Sequence, residues 1–190
     1  MRFSFWPAAA QPFSEVASLG HHVEQSGWDG IWYSDHFMPN AKDTSGPMPE
    51  AWTTLAALAA SVPRIRLGSL VTGNTYRHPA VLAKMAATVD NISGGRLVLG
   101  LGSGWQENEH TAYGIPFHSV NGRLRHLEEA CQIIKALFGQ ESVTFDGKYY
   151  QLKDAPLQPK PQQQNLPLMI GGGGEKVTLR ITAKYADEWN

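Results

Sequence analysis

The sequence predicts an α/β fold of the (β/α)8 TIM barrel type, of which this chain carries the first five to six strands. One observation behind this prediction is a rhythm in which short apolar runs and amphipathic segments alternate five times, as they do around a parallel sheet. A second observation is the position of the polar and glycine-rich motifs, which directly follow the predicted strands. In a parallel barrel these motifs meet at one end, where active sites lie.

Five short apolar runs are predicted as strands, and a sixth run at 188–190 is predicted to begin another. Each is bounded by glycine, proline or aspartate, which is typical of buried parallel strands. The five runs cover residues 2–6, 28–34, 65–71, 97–101 and 168–170.

Five helices are predicted between these strands, and the clearest covers 123–138. Its apolar residues recur at steps of three and four, so they form one buried stripe: Leu124, Leu127, Cys131, Ile134 and Phe138. The other helices cover 15–26, 50–61, a segment that begins at Pro79, and 175–186.

Residues 1–190 are interpreted as one barrel domain with an insertion at about 139–166. Within the insertion, runs at 143–145 and 149–152 flank Asp146-Gly147, which predicts a β-hairpin followed by a proline-rich strap. Five or six strands do not close a barrel of eight strands and roughly 250 residues. We therefore expect the chain to be the N-terminal part of a longer protein.

The composition excludes several classes of function. The chain has 16 basic and 17 acidic residues and no basic block, which argues against nucleic acid as a partner. No apolar run approaches the roughly 18 residues of a membrane helix. The single cysteine, Cys131, excludes an internal disulfide framework. The histidines show no zinc-ligand spacing, so no metal site is predicted. These features predict a soluble, cytoplasmic protein.

Four motifs follow the second to fifth predicted strands. They are Asp35-His36, the stretch 71–74, the loop 102–109 with Gly102, Ser103 and Gly104, and the tetraglycine 171–174. Glycine allows backbone N–H groups to approach a ligand closely, so the glycine loops suit a phosphate or a flat cofactor. The sequence therefore predicts one ligand site at this end of the sheet.

Each motif also has a simpler interpretation. Asp35-His36 could be a loop start with a surface histidine, and 171–174 a strand-to-helix turn. The glycines at 100, 102 and 104 lack the spacing and the acidic residue of a nicotinamide-binding motif. Glu107 and Glu109 could solvate a loop or meet substrate, and Trp105 could contact cofactor or substrate.

Long segments in matching order resemble a known family. The quoted segments are SDHF at 34–37, VTGNTYRHPAVLAKMAATVDNISGGRLVLGLGSGWQENE at 71–109, YGIPF at 113–117, VTFDGKYYQLKDAPLQPKP at 143–161 and PLMIGGGGEKVTLRITAKYADEWN at 167–190. The chain resembles the luciferase-like monooxygenase superfamily, and within it the branch of oxidoreductases that use coenzyme F420, an 8-hydroxy-5-deazaflavin. This resemblance implies a (β/α)8 barrel, a homodimer, and a cofactor ring at the carboxyl ends of the strands.

The resemblance also implies roles for individual residues. Asp35 and His36 match an acid–histidine pair beside the reactive face of the ring. Ser69-Leu70 matches a pair that often forms a non-prolyl cis peptide supporting the ring. Further cofactor contacts are implied for Thr72, Gly102, Ser103 and Gly104, and the phosphate-bearing tail is implied to bind Gly171, Gly172, Gly173 and Gly174.

Two positions depart from the family pattern. Deazaflavin-dependent sugar-phosphate dehydrogenases of this family carry a tryptophan where Asn40 stands, and a catalytic glutamate where Trp105 stands. Glu107 and Glu109 are displaced from that position. The resemblance therefore does not support oxidation of a sugar phosphate or a simple alcohol, and the substrate stays open, with Trp105 and Glu107 as candidate contacts.

Three hypotheses follow. The first is an oxidoreductase that transfers a hydride between coenzyme F420 and a small organic substrate, with His36 moving a proton and Asp35 orienting it. The second is a monooxygenase that uses reduced FMN and oxygen on the same scaffold. The third is a non-catalytic or vestigial fragment.

Overall fold

The computed structural model describes residues 2–190 of the chain, and its centre is a sheet in which every strand pair is parallel. The strand order is β1-β2-β3-β5-β8-β9, and β4 also pairs with β5. The strands are β1 (Ser4–Phe5), β2 (Gly30–Tyr33), β3 (Arg66–Ser69), β4 (Thr72–Gly73), β5 (Leu97–Gly102), β8 (Leu168–Ile170) and β9 (Glu188–Trp189).

The sheet is strongly curled. Arg66 on β3 forms an ion pair with Glu188 on β9, and Arg2 lies 3.7 Å from the same carboxylate. In a flat sheet three strand spacings, about 14 Å, would separate β3 from β9. The side chains of Arg66 and Glu188 come into contact only because the sheet curves and brings β3 and β9 closer together. The sheet is thus the half-barrel that the sequence predicts, and the predicted fold class is confirmed.

Helices cover the outer face of the half-barrel. They are α1 (Phe13–Gln25), α2 (Ala51–Ser61), α3 (Pro79–Ser93), α4 (Glu107–Tyr113), α5 (Val120–Gly139) and α6 (Thr178–Tyr185). Within residues 2–190, no helix combines the length and apolar character that a membrane crossing requires.

The strand β5 shows how the core is divided between the two faces of the sheet. Leu97, Leu99 and Leu101 belong to the main apolar core under the helices, whereas the alternate residue Val98 is fully buried outside that core. Successive side chains of a strand point to opposite faces. Val98 and Gly100 therefore face the inside of the half-barrel.

The insertion contains the predicted hairpin, with β6 (Ser142–Asp146) and β7 (Gln151–Pro156) paired antiparallel. Tyr149 and Tyr150, predicted as strand, lie in the connection instead. The carboxylate of Glu129 on α5 accepts hydrogen bonds from the backbone N–H groups of residues 148–150, which holds this connection against α5.

Three element predictions are wrong in detail. The third predicted strand, 65–71, ends early, because β3 stops at Ser69, and the cis peptide Leu70-Val71 lies between β3 and β4. The helix α4 was not predicted, although acids in its first turn and Gly114 after its last turn are ordinary helix signals. The helix α6 begins at Thr178 instead of residue 175, because residues 175–177 form turns.

Candidate functional site

A cavity of about 360 Å³ lies at the carboxyl ends of the central strands. The loops after β2, β4, β5 and β8 all contribute to its lining, as the four motifs predict. Among the predicted site residues, the lining includes Asp35, His36, Leu70, Thr72, Gly102, Ser103, Gly104, Trp105, Gly171 and Gly172. The structure therefore brings together most of the candidates, although their roles stay predictions.

The imidazole of His36 is held by a carboxylate that the sequence does not indicate. Nδ1 of His36 lies 2.8 Å from Oε1 of Glu109, and the backbone N–H of Phe37 donates to Oε2 of Glu109 at 2.7 Å. The hydroxyl of Tyr76 also donates to Glu109. Glu109 itself is fully buried on the first turn of α4. Both oxygens of this carboxylate are thus committed to fixing the histidine and its loop.

These hydrogen bonds determine the charge of Glu109. Burial alone would raise the pKa of Glu109, because it disfavours the charged form. The hydrogen bonds from His36, Tyr76 and Phe37 outweigh that effect and hold the pKa of Glu109 below its usual value. Glu109 is therefore ionised at neutral pH and acts only as a hydrogen-bond acceptor.

The prediction that Asp35 orients His36 is wrong. The carboxylate of Asp35 is 1% exposed and accepts two hydrogen bonds from the guanidinium of Arg77, at 2.6 and 3.0 Å. Its Oδ2 also accepts from the backbone N–H of Gly73 at 3.3 Å. Arg77 bonds in turn to Glu50, the N-terminal cap of α2, at 2.5 Å. Asp35 therefore ties the His36 loop to β4 and α2.

The floor of the cavity is formed by Val71. A Cβ added to Gly102 or to Gly171 would lie 2.8 Å from Cγ2 of Val71, so neither position accommodates a side chain. The cis peptide was predicted at Ser69-Leu70 and lies one residue later, at Leu70-Val71. Because glycines surround Val71, the floor is left open for a flat ligand.

Ser69 lies beneath Val71 and does not line the cavity, which corrects the prediction that Ser69 contacts the cofactor. It is fully buried, and its hydroxyl donates to the carbonyl of Gly100 at 2.8 Å and accepts from Thr72 at 2.9 Å. The hydroxyl of Thr72 accepts in turn from the indole N–H of Trp52 at 3.1 Å. Ser69 thus braces β3 against β5, and of the three hydrogen-bonded side chains Ser69, Thr72 and Trp52 only Thr72 lines the cavity.

Half of the tetraglycine reaches the cavity. Gly171 and Gly172 line it, and Gly172 has a φ of 120°, a conformation that favours glycine. Gly173 and Gly174 lie outside the lining, and Gly174 packs against Thr178 at the start of α6. This placement differs from the prediction because the turn at 175–177 separates the glycines from the helix.

The two candidate substrate residues are separated. Trp105 stands at the cavity mouth, 59% exposed, with its ring edge-on to the imidazole of His36 at 5.5 Å between centroids. Glu107 is exposed on α4 and lies outside the lining, and its role as a substrate contact stays a prediction. Neighbours on one turn of a helix point in different directions, so Glu109 faces inward while Glu107 faces solvent.

The cavity thus combines a flat, mostly apolar floor with one imidazole fixed by an ionised carboxylate. Such a site can bind a planar ring and move a proton beside it. Among residues 2–190, no cluster of histidine, cysteine and acidic side chains has the arrangement of a metal site.

Comparison with known proteins adds to this geometry. The family model for luciferase-like monooxygenases matches residues 1–190. The F420-dependent glucose-6-phosphate dehydrogenase of Kineococcus radiotolerans is 38% identical over 184 residues, which are 95% of this chain and 52% of the relative. The enzyme of the same name from Microbacterium testaceum is 36% identical over 190 residues, 98% of this chain and 55% of the relative. The chain spans about half the length of these relatives.

Solved structures agree on the fold. An F420-dependent secondary alcohol dehydrogenase in complex with an F420-acetone adduct superposes with a TM-score of 0.88 at 25% identity, over 99% of this chain and 57% of the other. The coenzyme F420-dependent tetrahydromethanopterin reductase from Methanopyrus kandleri gives a TM-score of 0.84 at 23% identity, over 99% and 55%. Because the family model matches from the first residue to the last and the half-barrel superposes over nearly its whole length, this chain belongs to the luciferase-like monooxygenase family.

Proposed function

We propose that this chain is the part of a coenzyme F420-dependent oxidoreductase that holds the deazaflavin ring and moves the proton that accompanies hydride transfer. One observation carries the proposal: the imidazole of His36 stands at the rim of the glycine-floored cavity with Nδ1 held by the buried carboxylate of Glu109 at 2.8 Å. The F420-dependent relatives, at 36–38% identity over nearly the whole chain, support this cofactor.

Glu109 fixes the tautomer of His36. An ionised carboxylate accepts hydrogen bonds and donates none, so Nδ1 of His36 carries the hydrogen in the 2.8 Å contact. Nε2 of the neutral imidazole then has a free lone pair. His36 is thereby set to take a proton at Nε2, and the negative charge of Glu109 stabilises the imidazolium that results.

The cavity fits a flat tricyclic ring. Its volume of about 360 Å³ lies within the usual range for small-molecule sites, and its lining is mainly apolar. The residues proposed to hold the ring are Leu70, Val71 and Thr72 on one side and Gly102, Ser103 and Gly104 on another. Gly171 and Gly172 offer the close backbone approach that suits the proximal part of the tail.

The protein residues supply the acid–base chemistry. When bound, the deazaflavin provides a carbon that accepts or returns a hydride. As a substrate C–H bond gives up its hydrogen with both electrons, the adjacent O–H bond breaks and Nε2 of His36 takes the proton. In the reverse direction Nε2 returns that proton to the carbonyl oxygen. Trp105, beside His36 at the mouth, is proposed to position the substrate.

The substrate is proposed only as a small organic alcohol or carbonyl compound. The resemblance alone does not support an alcohol, but the solved secondary alcohol dehydrogenase, 25% identical over 99% of this chain, favours one. Relatives named for glucose 6-phosphate are 34–38% identical to this chain. Asn40 and Trp105 replace the residues that the family's sugar-phosphate dehydrogenases carry at these positions. We therefore leave the sugar phosphate out of the proposal.

Titration of the purified full-length protein with each cofactor tests the proposal. We expect saturable quenching of F420 fluorescence and turnover that is insensitive to oxygen. Tight binding of FMN with oxygen-dependent turnover, and no binding of F420, would overturn the proposal in favour of the monooxygenase. Binding of neither cofactor would favour the non-catalytic fragment.

A glycine variant tests the location of the ring. Gly102→Val places a side chain against Val71, where even a Cβ lies 2.8 Å from Cγ2, so we expect F420 affinity to fall at least about tenfold. Gly139→Ala is the matched control, because a Cβ there meets nothing within 4 Å. Equal affinity in the two variants, with both giving cooperative melts, would place the ring elsewhere.

A homodimer and a cytoplasmic location are further proposals for the whole protein. Cys131 is buried on α5 and is a free cysteine, which fits a reducing compartment. Light scattering on the full-length protein during size-exclusion chromatography tests the dimer, and a monomeric mass would contradict it.

A further inference from the structure

Two tryptophans stand at the mouth of the cavity, and only one of them enters the function proposed above. Trp6 follows β1 and Trp105 follows the end of β5, so the two indoles come from strands that β2 and β3 separate. Both line the cavity, with exposed fractions of 57% and 59%. Neither belongs to the apolar core of the half-barrel. Large apolar side chains exposed together at a cavity mouth indicate contact with a ligand.

The indole of Trp6 is anchored to the loop that carries His36. Its Nε1–H donates to the hydroxyl of Ser34 at 2.8 Å, and Ser34 is itself buried. Because this bond uses the one polar atom of the indole, Trp6 presents apolar ring surface to the cavity. Ser34 lies two residues before His36 in the chain. The bond therefore holds a flat apolar surface close to the proposed proton acceptor.

The indole of Trp105 contacts the imidazole of His36 directly. The two rings are edge-on, with 5.5 Å between centroids and an interplanar angle of 79°. A Cβ added to the preceding residue, Gly104, would lie 2.6 Å from Oγ1 of Thr75, so the loop before Trp105 is closely packed. His36 thus has one indole against its ring and another bonded to its own loop.

The cavity offers no cation to a charged substrate. Among residues 2–190, its lining contains no lysine or arginine, and Asp35 is its one acidic side chain. The carboxylate of Asp35 is buried and already paired with Arg77 at 2.6 Å. A phosphate or carboxylate on the substrate would lose water there without gaining an opposite charge, which is costly. The lining therefore favours an uncharged substrate.

We propose that Trp6 and Trp105 select an uncharged secondary alcohol or ketone that carries an aromatic ring. The ring lies against the two indoles, and the oxygen lies toward Nε2 of His36, so the proposal rests on the function proposed above. Aromatic rings pack against one another edge-on or offset, which two indoles at one mouth allow. A short aliphatic ketone leaves both indoles in water and gains less from the same site.

Calorimetric titration of the purified full-length protein, with and without F420, tests the substrate class. Acetophenone is the probe, acetone lacks its ring, and benzoate replaces its ketone with a carboxylate. We expect acetophenone to bind at least about tenfold more tightly than either of the others. Acetone binding as tightly as acetophenone would overturn the proposal, and tighter binding of benzoate would overturn it in favour of an anion site. No binding of acetophenone to either form would also overturn it.

Three variants test the two indoles. Trp6→Leu and Trp105→Leu each remove one ring and should weaken acetophenone binding at least about fivefold, whereas Trp6→Phe keeps a ring and should stay within about threefold of wild type. Trp28→Leu is the matched control, because Trp28 is exposed and does not line the cavity. If one leucine variant does not fold, the other decides the matter. Binding to the folded leucine variants as tight as to the control would overturn the proposal.

Binding and turnover together separate this proposal from the function on which it rests. Oxidation of 1-phenylethanol gives acetophenone, with the hydride passing to F420 and the hydroxyl proton to His36. If acetophenone binds but F420 is not reduced, the substrate class is supported and the oxidoreduction is overturned. If 2-propanol reduces F420 but acetophenone does not bind, the oxidoreduction stands and the role of the two indoles is overturned.

Discussion

Two histidines of this chain have ring-nitrogen partners of different charge. At the candidate site, Nδ1 of His36 lies 2.8 Å from the ionised carboxylate of Glu109. On α5, Nδ1 of His126 donates at 2.7 Å to the neutral carbonyl of Gly122. A carboxylate stabilises an imidazolium more strongly than a carbonyl does. The carboxylate partner is therefore the feature that sets His36 apart, and it is the basis of the proton transfer proposed for His36.

The largest expected effect is on turnover at the candidate site. His36→Ala removes the proton acceptor, so we expect F420-dependent turnover to fall by about 10² to 10⁴. F420 affinity should stay within a few-fold, because the floor is formed by other residues. Steady-state kinetics and fluorescence titration measure the two quantities. His21→Ala, on the exposed face of α1, is the control. Turnover equal to that of the control would exclude His36 from the mechanism.

Arg77 pairs with the buried carboxylate of Asp35, so its loss should destabilise the folded chain. Arg77→Met keeps an apolar stem but leaves the buried carboxylate of Asp35 without its cation. We expect the free energy of unfolding to fall by about 3–5 kcal/mol, because an uncompensated buried charge remains. Urea denaturation measures this. Arg125→Met, at an exposed position of α5, provides the comparison, and an equal effect there would refute the role of the ion pair.

Glu109→Gln sharpens the comparison by making the partner of His36 neutral, as the partner of His126 already is. We expect turnover to fall by about tenfold to a hundredfold, because the imidazolium loses its negative neighbour. Steady-state kinetics measure this, and turnover equal to that of wild type would exclude this role of Glu109.

The smallest effect concerns stability against pH. The pKa of Glu109 is lower in the folded protein than the value of about 4.3 in an unfolded chain. Its contribution to stability is therefore complete above about pH 4.3 and is lost as pH falls through the folded pKa. At pH 7 the free energy of unfolding of the wild type should be about 1–3 kcal/mol higher than that of Glu109→Gln. Urea melts from pH 7 to pH 3 should show this difference vanishing, and a constant difference would contradict it.

Local sequence patterns identified most of the elements. The run 168–170 coincides with β8, and the apolar stripe containing Leu127, Cys131 and Ile134 is buried on α5. Such patterns work because side chains recur on one face every 2 residues in a strand and every 3.6 in a helix. The pattern does not reveal the helix α4 because it has only seven residues, too few for a clear period.

The partners of the site residues could not be predicted in this way. Asp35 and His36 are neighbours, yet Asp35 bonds to Arg77, 42 residues away, and His36 to Glu109, 73 residues away. The sequence gives no reason to prefer Glu107 or Glu109 as the site residue. One is exposed and the other is fully buried because α4 turns its inner face toward the His36 loop.

The sequence by itself therefore determined the strand–helix rhythm, the parallel sheet and the end of it where the cavity lies, since these depend on patterns within about ten residues. Only the tertiary structure decided which carboxylate holds His36 and where the cis peptide falls. The physical reason is distance along the chain. The curled sheet brings His36, Tyr76 and Glu109 together at one rim. The hydrogen bonds of His36 and Tyr76 to Glu109 form only after the sheet has folded.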